Sequence, residues 1–193
     1  MRWPRLFPVV LFAGVLSNQL NAEQDLFVPA NDVSFTITPE RKSYKSGEQI
    51  VFKYRVTNIS NSALFVPRTV WEVKCLNPPH VWAWLESSTG KHFIPGYAGS
   101  CLGPDPVNKL DAAERMGKDA VLLKPMGYIE GSFTLDTRIF IKELKPGAYR
   151  LEAALYGWRD ERLDEAERTS LATMKYPFLR GELAASQNIE LAP

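Results

Sequence analysis

Cysteine and histidine are scarce in this chain, with two of each among 193 residues. They are too few for most zinc frameworks, which take four such ligands at close spacing. An excess of charge of one sign is also lacking, since 23 basic and 22 acidic side chains leave a net charge of +1. The sequence therefore gives no electrostatic reason to expect a nucleic-acid partner or binding to an acidic membrane surface.

The motifs of the common enzyme classes are missing as well. The sequence contains no Gly-x-Ser-x-Gly, no His-Glu-x-x-His, no phosphate-binding loop and no dinucleotide-binding fingerprint. We predict that the protein is not an enzyme and has no catalytic residue, no metal and no cofactor. An acid/base group assembled from His80, His92 and carboxylates is the enzymatic alternative, which sequence spacing cannot demonstrate.

The first 22 residues have the layout of a signal peptide. Arg2 and Arg5 are followed by the apolar run LFPVVLFAGVL at 6–16 and by a polar segment that ends in Leu-Asn-Ala. The apolar run is short for a permanent membrane anchor, which is the alternative. We predict that residues 1–22 are removed on export to the periplasm or the extracellular space, and that residues 23–193 form a single domain without membrane insertion.

Export changes what the two cysteines are expected to do. In an oxidising compartment two thiols of one domain usually pair, so we predict a disulfide between Cys75 and Cys101. Closing that loop would stabilise the fold by roughly 3–4 kcal/mol on the chain-entropy model. The alternative is a nucleophilic Cys101, which would need His80 or His92 as its base.

Alternation of apolar and polar residues predicts strands over most of the remaining chain. The clearest case is the segment 50–57, where Ile50, Phe52, Tyr54 and Val56 share one face. Long helices that could connect parallel strands are absent, so we expect mainly antiparallel sheets with seven to nine strands. The other strands are predicted at 33–38, 63–66, 81–85, 91–94, 120–123, 129–135, 149–156 and 186–191.

Two motifs resemble those of bacterial immunoglobulin-like sandwich domains, and their spacing is similar to that of the intracellular proteinase inhibitor type. The first is the turn Ser46-Gly47-Glu48, followed by a strand and Asn58-Ile59-Ser60; the second is Leu144-x-Pro146-Gly147-x-Tyr149. The resemblance implies an all-β, immunoglobulin-like antiparallel β-sandwich. It also implies structural roles for Gly47, Pro146, Gly147 and Tyr149, with Tyr149 able to hydrogen-bond back across the corner.

Two segments interrupt the strand pattern with helical signals. Asp105-Pro106 could open a short helix that runs to Met116, because Asp caps helices and Pro suits the first turn. The charged stretch at about 157–180 is predicted to be an insertion with a surface helix, since its opposite charges lie three and four residues apart. Metal or partner binding by its carboxylates is the alternative.

An aromatic cluster flanks the predicted disulfide and consists of Trp71, Trp82, Trp84, Phe93 and Tyr97, with His80 and His92 beside them. The cluster packs in the core, as a tryptophan does in many sandwich domains, or it forms a binding face for a protein or a glycan. We predict an exported, non-catalytic binding module, with a secreted proteinase inhibitor that presents loop 95–106 or 157–180 as the alternative. The candidate binding residues are Trp82, Trp84, His80, His92 and Tyr97.

Overall fold

The computed structural model describes residues 25–68, 81–90, 92–93, 116–118, 120–140, 143–158 and 163–193, with the backbone alone at 92, 93 and 139. Several predictions lie outside these residues and stay predictions: the signal peptide 1–22, the Cys75–Cys101 disulfide, the inhibitory loop 95–106, and the roles of His80 and Tyr97. The predicted helix at 105–116 is described only at Met116, which is helical.

Strands dominate the part of the chain that the structure describes. Two 3-10 turns accompany them, at Ala30–Asp32 and Thr137–Ile139. One helix of seven residues, α1, spans Glu165–Leu171. The strands are β1 (Phe27–Val28), β2 (Val33–Pro39), β3 (Ser43–Lys45), β4 (Gln49–Asn58), β5 (Leu64–Pro67), β6 (Val81–Ser87), β7 (His92–Phe93), β8 (Ala120–Leu123), β9 (Tyr128–Asp136), β10 (Gly147–Tyr156), β11 (Phe178–Leu179) and β12 (Glu182–Ala192).

Two sheets face each other as a sandwich. The first has the order β2-β4-β9, and the second has the order β3-β12-β10-β6-β7. The central pairs are antiparallel, with β4 between β2 and β9 and β10 between β12 and β6. Strands β2, β4 and β9 correspond to the A, B and E strands of an immunoglobulin-like sandwich, and β12, β10 and β6 correspond to its G, F and C strands. The predicted fold class is therefore confirmed.

The inward side chains of β4 form the centre of the core. Ile50, Phe52 and Val56 have no exposed surface, and Tyr54 is 3% exposed. They pack in one cluster with the inward residues of the second sheet, such as Leu151. Each such side chain contributes roughly 1.5–3 kcal/mol through burial, which is why the alternation predicted this strand correctly.

A third sheet, in the order β1-β11-β5-β8, lies beside the sandwich. It pairs β11 in parallel with both β1 and β5, and β3 also lies parallel to β12. These parallel pairs were not predicted from the sequence. The third sheet and helix α1 share a second core, whose buried members are Phe27, Met116, Ala120, Leu171 and Phe178.

The charged stretch contains the expected short helix. The Asp164 carboxylate caps α1 by accepting from the Glu167 backbone N–H at 2.8 Å. The Glu167 carboxylate in turn accepts from the Asp164 backbone N–H at 3.1 Å, which completes a capping box. The two carboxylates are therefore explained by the start of the helix. The later part of the stretch is not a loop, because Phe178–Leu179 form the buried strand β11.

The corner before β10 contains the hydrogen bond that the second motif implied. The Tyr149 hydroxyl donates to the Lys145 carbonyl at 2.8 Å and accepts from the Lys145 backbone N–H at 3.2 Å. Gly147 has a φ of +152° and Gly47, in the turn between β3 and β4, has a φ of +85°. Both values suit glycine better than any other residue.

Asn58 organises the loop that follows β4. Its side chain is fully buried, and its Nδ2 donates to the carbonyls of Ser62 at 2.8 Å and Leu123 at 3.0 Å. Its Oδ1 accepts from the backbone N–H of Ser60 at 2.9 Å. Asn58-Ile59-Ser60 also has the pattern of a glycosylation site, but an amide buried and bonded in this way is closed to glycan attachment in the folded protein. The segment is a side-chain turn closed by the hydrogen bond to Ser60. Within the described ranges, no helix is long and apolar enough to cross a bilayer.

Candidate binding face

Strand β6 separates its apolar residues onto two sides of the second sheet. Val81, Ala83 and Leu85 point into the sandwich core and are at most 2% exposed. The intervening Trp82 and Trp84 therefore point outward, with Trp82 42% exposed and Trp84 half-buried. Of the two alternatives for these tryptophans, the structure shows the outer face of the sheet rather than the core between the sheets.

Strand β10 supplies the polar residues of this outer face. In the register of the antiparallel pair, Trp84 lies opposite Glu152 and Arg150 lies opposite Glu86. Side chains directly opposite each other in such a pair share one side of the sheet. We call this surface the Trp face and define it by Trp82, Trp84, Glu86, Arg150 and Glu152.

Arg150 connects the two carboxylates of the Trp face. Its guanidinium forms ion pairs with Glu86 and with Glu152. The Arg150 side chain is 52% exposed, whereas Glu86 and Glu152 are only 17% and 14% exposed. The hydrogen bond to Glu86, followed by the charge of Glu152, raises the pKa of Arg150 above its usual value. Two carboxylates against one guanidinium leave the cluster with one formal negative charge in excess.

A depression of about 550 Å³ lies at the end of the Trp face where β6 turns toward β7. Glu86 and Arg150 line it, so the charged cluster borders a concave surface as well as the tryptophans. A volume of this size lies within the ordinary range for ligand pockets. The other lining residues are Ser87, Ser88, Gly90, Ala148, Tyr149 and Asn188.

The sequence identified only part of this site. Trp82 and Trp84 lie on it, and the register places His92 of β7 opposite Glu86. Sequence analysis missed Glu86, Arg150 and Glu152. Their positions in the alternation of β6 and β10 showed that they would face away from the core, but only the pairing register shows that they lie beside the tryptophans.

Two alternatives for the charged stretch are metal binding by its carboxylates and a protease-inhibiting loop at 157–180. The described part of the stretch supports neither. In the segments that the structure covers, no group of three or more His, Cys, Asp or Glu side chains is placed to hold a metal ion. The segment 163–179 lies against the body of the protein, because Leu171, Phe178 and Leu179 are buried. These buried contacts give no support to the alternative of an inhibitory loop at 157–180.

No protein-family model matches the chain, and no curated protein sequence matches it. Among solved structures, the chain is similar to the CARDB domain of the PF1109 protein from Pyrococcus furiosus, in complex with di-metal ions, at 10% identity and a TM-score of 0.36 over 83% of this chain and 88% of that one. It is also similar to the β-glucosidase EmGH1 from Erythrobacter marinus, at 12% identity and a TM-score of 0.40 over 83% of this chain.

A β-glucosidase from Listeria innocua, in complex with gluconolactone, is similar at 12% identity and a TM-score of 0.36 over 83% of this chain. The match spans 15% of the Erythrobacter enzyme and 16% of the Listeria enzyme. All three likenesses have low TM-scores and low identity.

Proposed function

We propose that this chain is an exported, non-catalytic binding module of immunoglobulin-like fold that holds a protein or glycan ligand on its Trp face. The observation that carries the proposal is the position of Trp82, which is 42% exposed on the outer side of the sheet. The half-buried Trp84 and the paired charges of Glu86, Arg150 and Glu152 lie beside it.

Neither tryptophan of the Trp face belongs to the buried core between the two sheets. Residues 82 and 84 point away from the sandwich core, and the core contacts of β6 come from Val81, Ala83 and Leu85. Tryptophan presents a large rigid surface that stacks on sugar rings or fills a pocket of a protein partner, and it is enriched at binding hot spots. The neighbouring carboxylates and guanidinium supply directional hydrogen bonds to such a ligand.

The ligand is best sought with glycan and peptide arrays that compare the wild type with the Trp82→Ala and Trp84→Ala variants. Both positions lie outside the core, so the variants are expected to fold, which circular dichroism and thermal melting would verify. We expect the best ligand to lose at least about tenfold in affinity, or roughly 1.4 kcal/mol. Tyr128→Ala, at an exposed aromatic position of the other sheet, is the matched control. Unchanged binding by both folded tryptophan variants would remove the Trp face from consideration.

The export part of the proposal depends on residues 1–22 and is tested separately. The protein is expressed in a bacterial host, and its N-terminus is sequenced in the periplasmic and culture fractions. We expect a new N-terminus at Glu23, after the Leu-Asn-Ala segment. Accumulation of the uncleaved chain in the cytoplasm or in the membrane would contradict export by a cleaved signal.

A further inference from the structure

We propose that the ligand of the Trp face is an extended polypeptide segment that carries Lys or Arg side chains. This inference depends on the proposed function, because it specifies the chemistry of the ligand for the same surface. It follows from the charge of the whole outer side of the second sheet, from the environment of Arg150, and from the length over which the acidic residues are spread.

The outer side of the second sheet is acidic among the residues that the structure describes. The register of β3, β12, β10 and β6 assigns four carboxylates and two cations to this side, which leaves two negative charges. Without the predicted signal peptide 1–22, which contains Arg2 and Arg5 and no acidic residue, 21 basic and 22 acidic side chains leave a net charge of only −1, so the two negative charges of this side are a property of this surface and not of the chain in general. The charged residues are Glu86, Glu152, Glu182 and Glu190, with Arg150 and Lys45.

The outer side of the first sheet gives a comparison within the same molecule. Its outward charged residues on β4 and β9 are Lys53, Arg55, Glu130 and Asp136, which balance. Arg55 pairs with Glu130 there. An acidic outer surface is therefore specific to the sheet that bears the tryptophans, and it is complementary to a cationic ligand.

Arg150 shows that the Trp face stabilises a cation of the proposed kind. Its guanidinium lies between two carboxylates that are less than one-fifth exposed. One negative charge remains after this pairing, and Glu152 lies opposite Trp84. A second cation placed at this point would meet both a carboxylate and an indole, whose ring face attracts cations.

The spread of the acidic residues favours an extended segment over a single small cation. Glu182 and Glu190 are eight residues apart on β12, which corresponds to roughly 27 Å along a strand. Glu86 and Glu152 lie on the neighbouring strands β6 and β10, so the negative charge follows the length of the sheet. A neutral glycan could donate hydrogen bonds to these carboxylates but has no charge to pair with them, and an acidic glycan would be repelled.

The test measures binding of the full mature protein to fluorescein-labelled peptides by fluorescence polarisation, at about 20 and 200 mM NaCl. The probes are an alternating Lys-Ser decapeptide, an alternating Glu-Ser decapeptide of the same length, and labelled cellohexaose. We expect the basic peptide alone to bind, with an affinity that falls severalfold at the higher salt concentration because the surface charges are screened.

Variants then separate the Trp face from general charge attraction. Glu86→Gln with Glu152→Gln, and separately Trp84→Ala, should each weaken the basic peptide at least about fivefold. If the double Gln variant does not fold, Glu182→Gln with Glu190→Gln tests the same charge at exposed positions. Glu130→Gln, on the outer side of the other sheet, is the matched control and should bind as the wild type does.

Two results would overturn this inference while leaving the proposed function intact. The first is binding of cellohexaose, or of a glycan from the array, that requires Trp82 and Trp84 and ignores salt. The second is binding of an array peptide that requires the tryptophans but contains no basic residue. Equal binding of the basic peptide by the Glu variants and by the control would also overturn it. If no glycan and no peptide binds, both the inference and the proposed function fail.

Discussion

Trp84 and Glu152 lie directly opposite each other on the antiparallel strands β6 and β10, although 68 positions separate them in the sequence. The pairing brings an indole and a carboxylate to the same outer side of the sheet. It also explains why neither segment identifies the site alone, since β6 supplies the aromatic residues and β10 supplies the partner charges. The Trp face is therefore a product of strand register.

The close approach of Tyr54 to Gly131 gives the first prediction. These residues are opposite each other in the β4–β9 pair, and a Cβ at position 131 would overlap the buried phenol ring of Tyr54. We expect Gly131→Ala to lower the free energy of unfolding by about 1–3 kcal/mol, because the ring has no room to move without disturbing the core. Urea denaturation measures this. Ser132→Ala, at the next and exposed position, should change stability by less than about 0.5 kcal/mol.

Asn58 gives a prediction that separates a buried amide from an exposed one on the same loop. Asn58→Asp replaces an amide that donates to the carbonyls of Ser62 and Leu123 with an acceptor that faces both. We expect a loss of at least about 2 kcal/mol in the free energy of unfolding at neutral pH. Asn61→Asp is exposed and should be close to neutral. Comparable stability of the two variants in chemical denaturation would show that the Asn58 network contributes little.

The corner at Tyr149 is predicted to contribute through its hydroxyl. Tyr149→Phe keeps the buried ring but removes the donor to the Lys145 carbonyl and the acceptor for the Lys145 backbone N–H. We expect a loss of about 1–2 kcal/mol, measured by thermal and urea unfolding. Tyr128→Phe, at an exposed position on β9, serves as the control. Unchanged stability of Tyr149→Phe would mean that water replaces both bonds.

Asp136 and Arg138 predict a dependence of stability on pH. Hydrogen bonds from the Arg138 side chain and backbone lower the pKa of Asp136 from its usual 3.8 to about 2. Because the folded-state pKa is the lower one, the stabilisation is complete above pH 3.8 and disappears as the pH falls through about 2. Asp136→Asn should therefore reduce stability relative to the wild type at pH 6 and much less at pH 2. An equal difference at both pH values would contradict a role for the carboxylate charge.

The sequence predicted the fold wherever a strand was long enough to display its alternation. Strand β4 has ten residues, and its inward positions are the centre of the core, as the pattern indicated. Strands β1 and β11 have two residues each, and β3 has three. Alternation cannot be seen over so few residues, so these parallel pairs were missed, and with them the third sheet.

The candidate site was only partly predictable for a related reason. The stretch 81–85 is apolar on both sides, so its pattern alone was compatible with a buried strand and with an exposed aromatic strip. The choice depends on which side of β6 faces β4 and β9, and that is fixed by packing between the two sheets. Glu152 and Arg150 lie far away in the sequence, and no local signal connects them with Trp84.

The most direct test of the Trp face is nuclear magnetic resonance of the indole Nε1–H groups during a ligand titration. The chain has five tryptophans, and Trp→Phe variants assign the signals of Trp82, Trp84 and Trp158. Trp158 packs edge-on against Phe178 in the second core, at 5.1 Å between ring centroids, and serves as an internal reference. With the tightest ligand from the arrays, we predict saturable shifts of the Trp82 and Trp84 signals and an unmoved Trp158 signal. Saturable binding that leaves the signals of Trp82 and Trp84 in place would contradict the account.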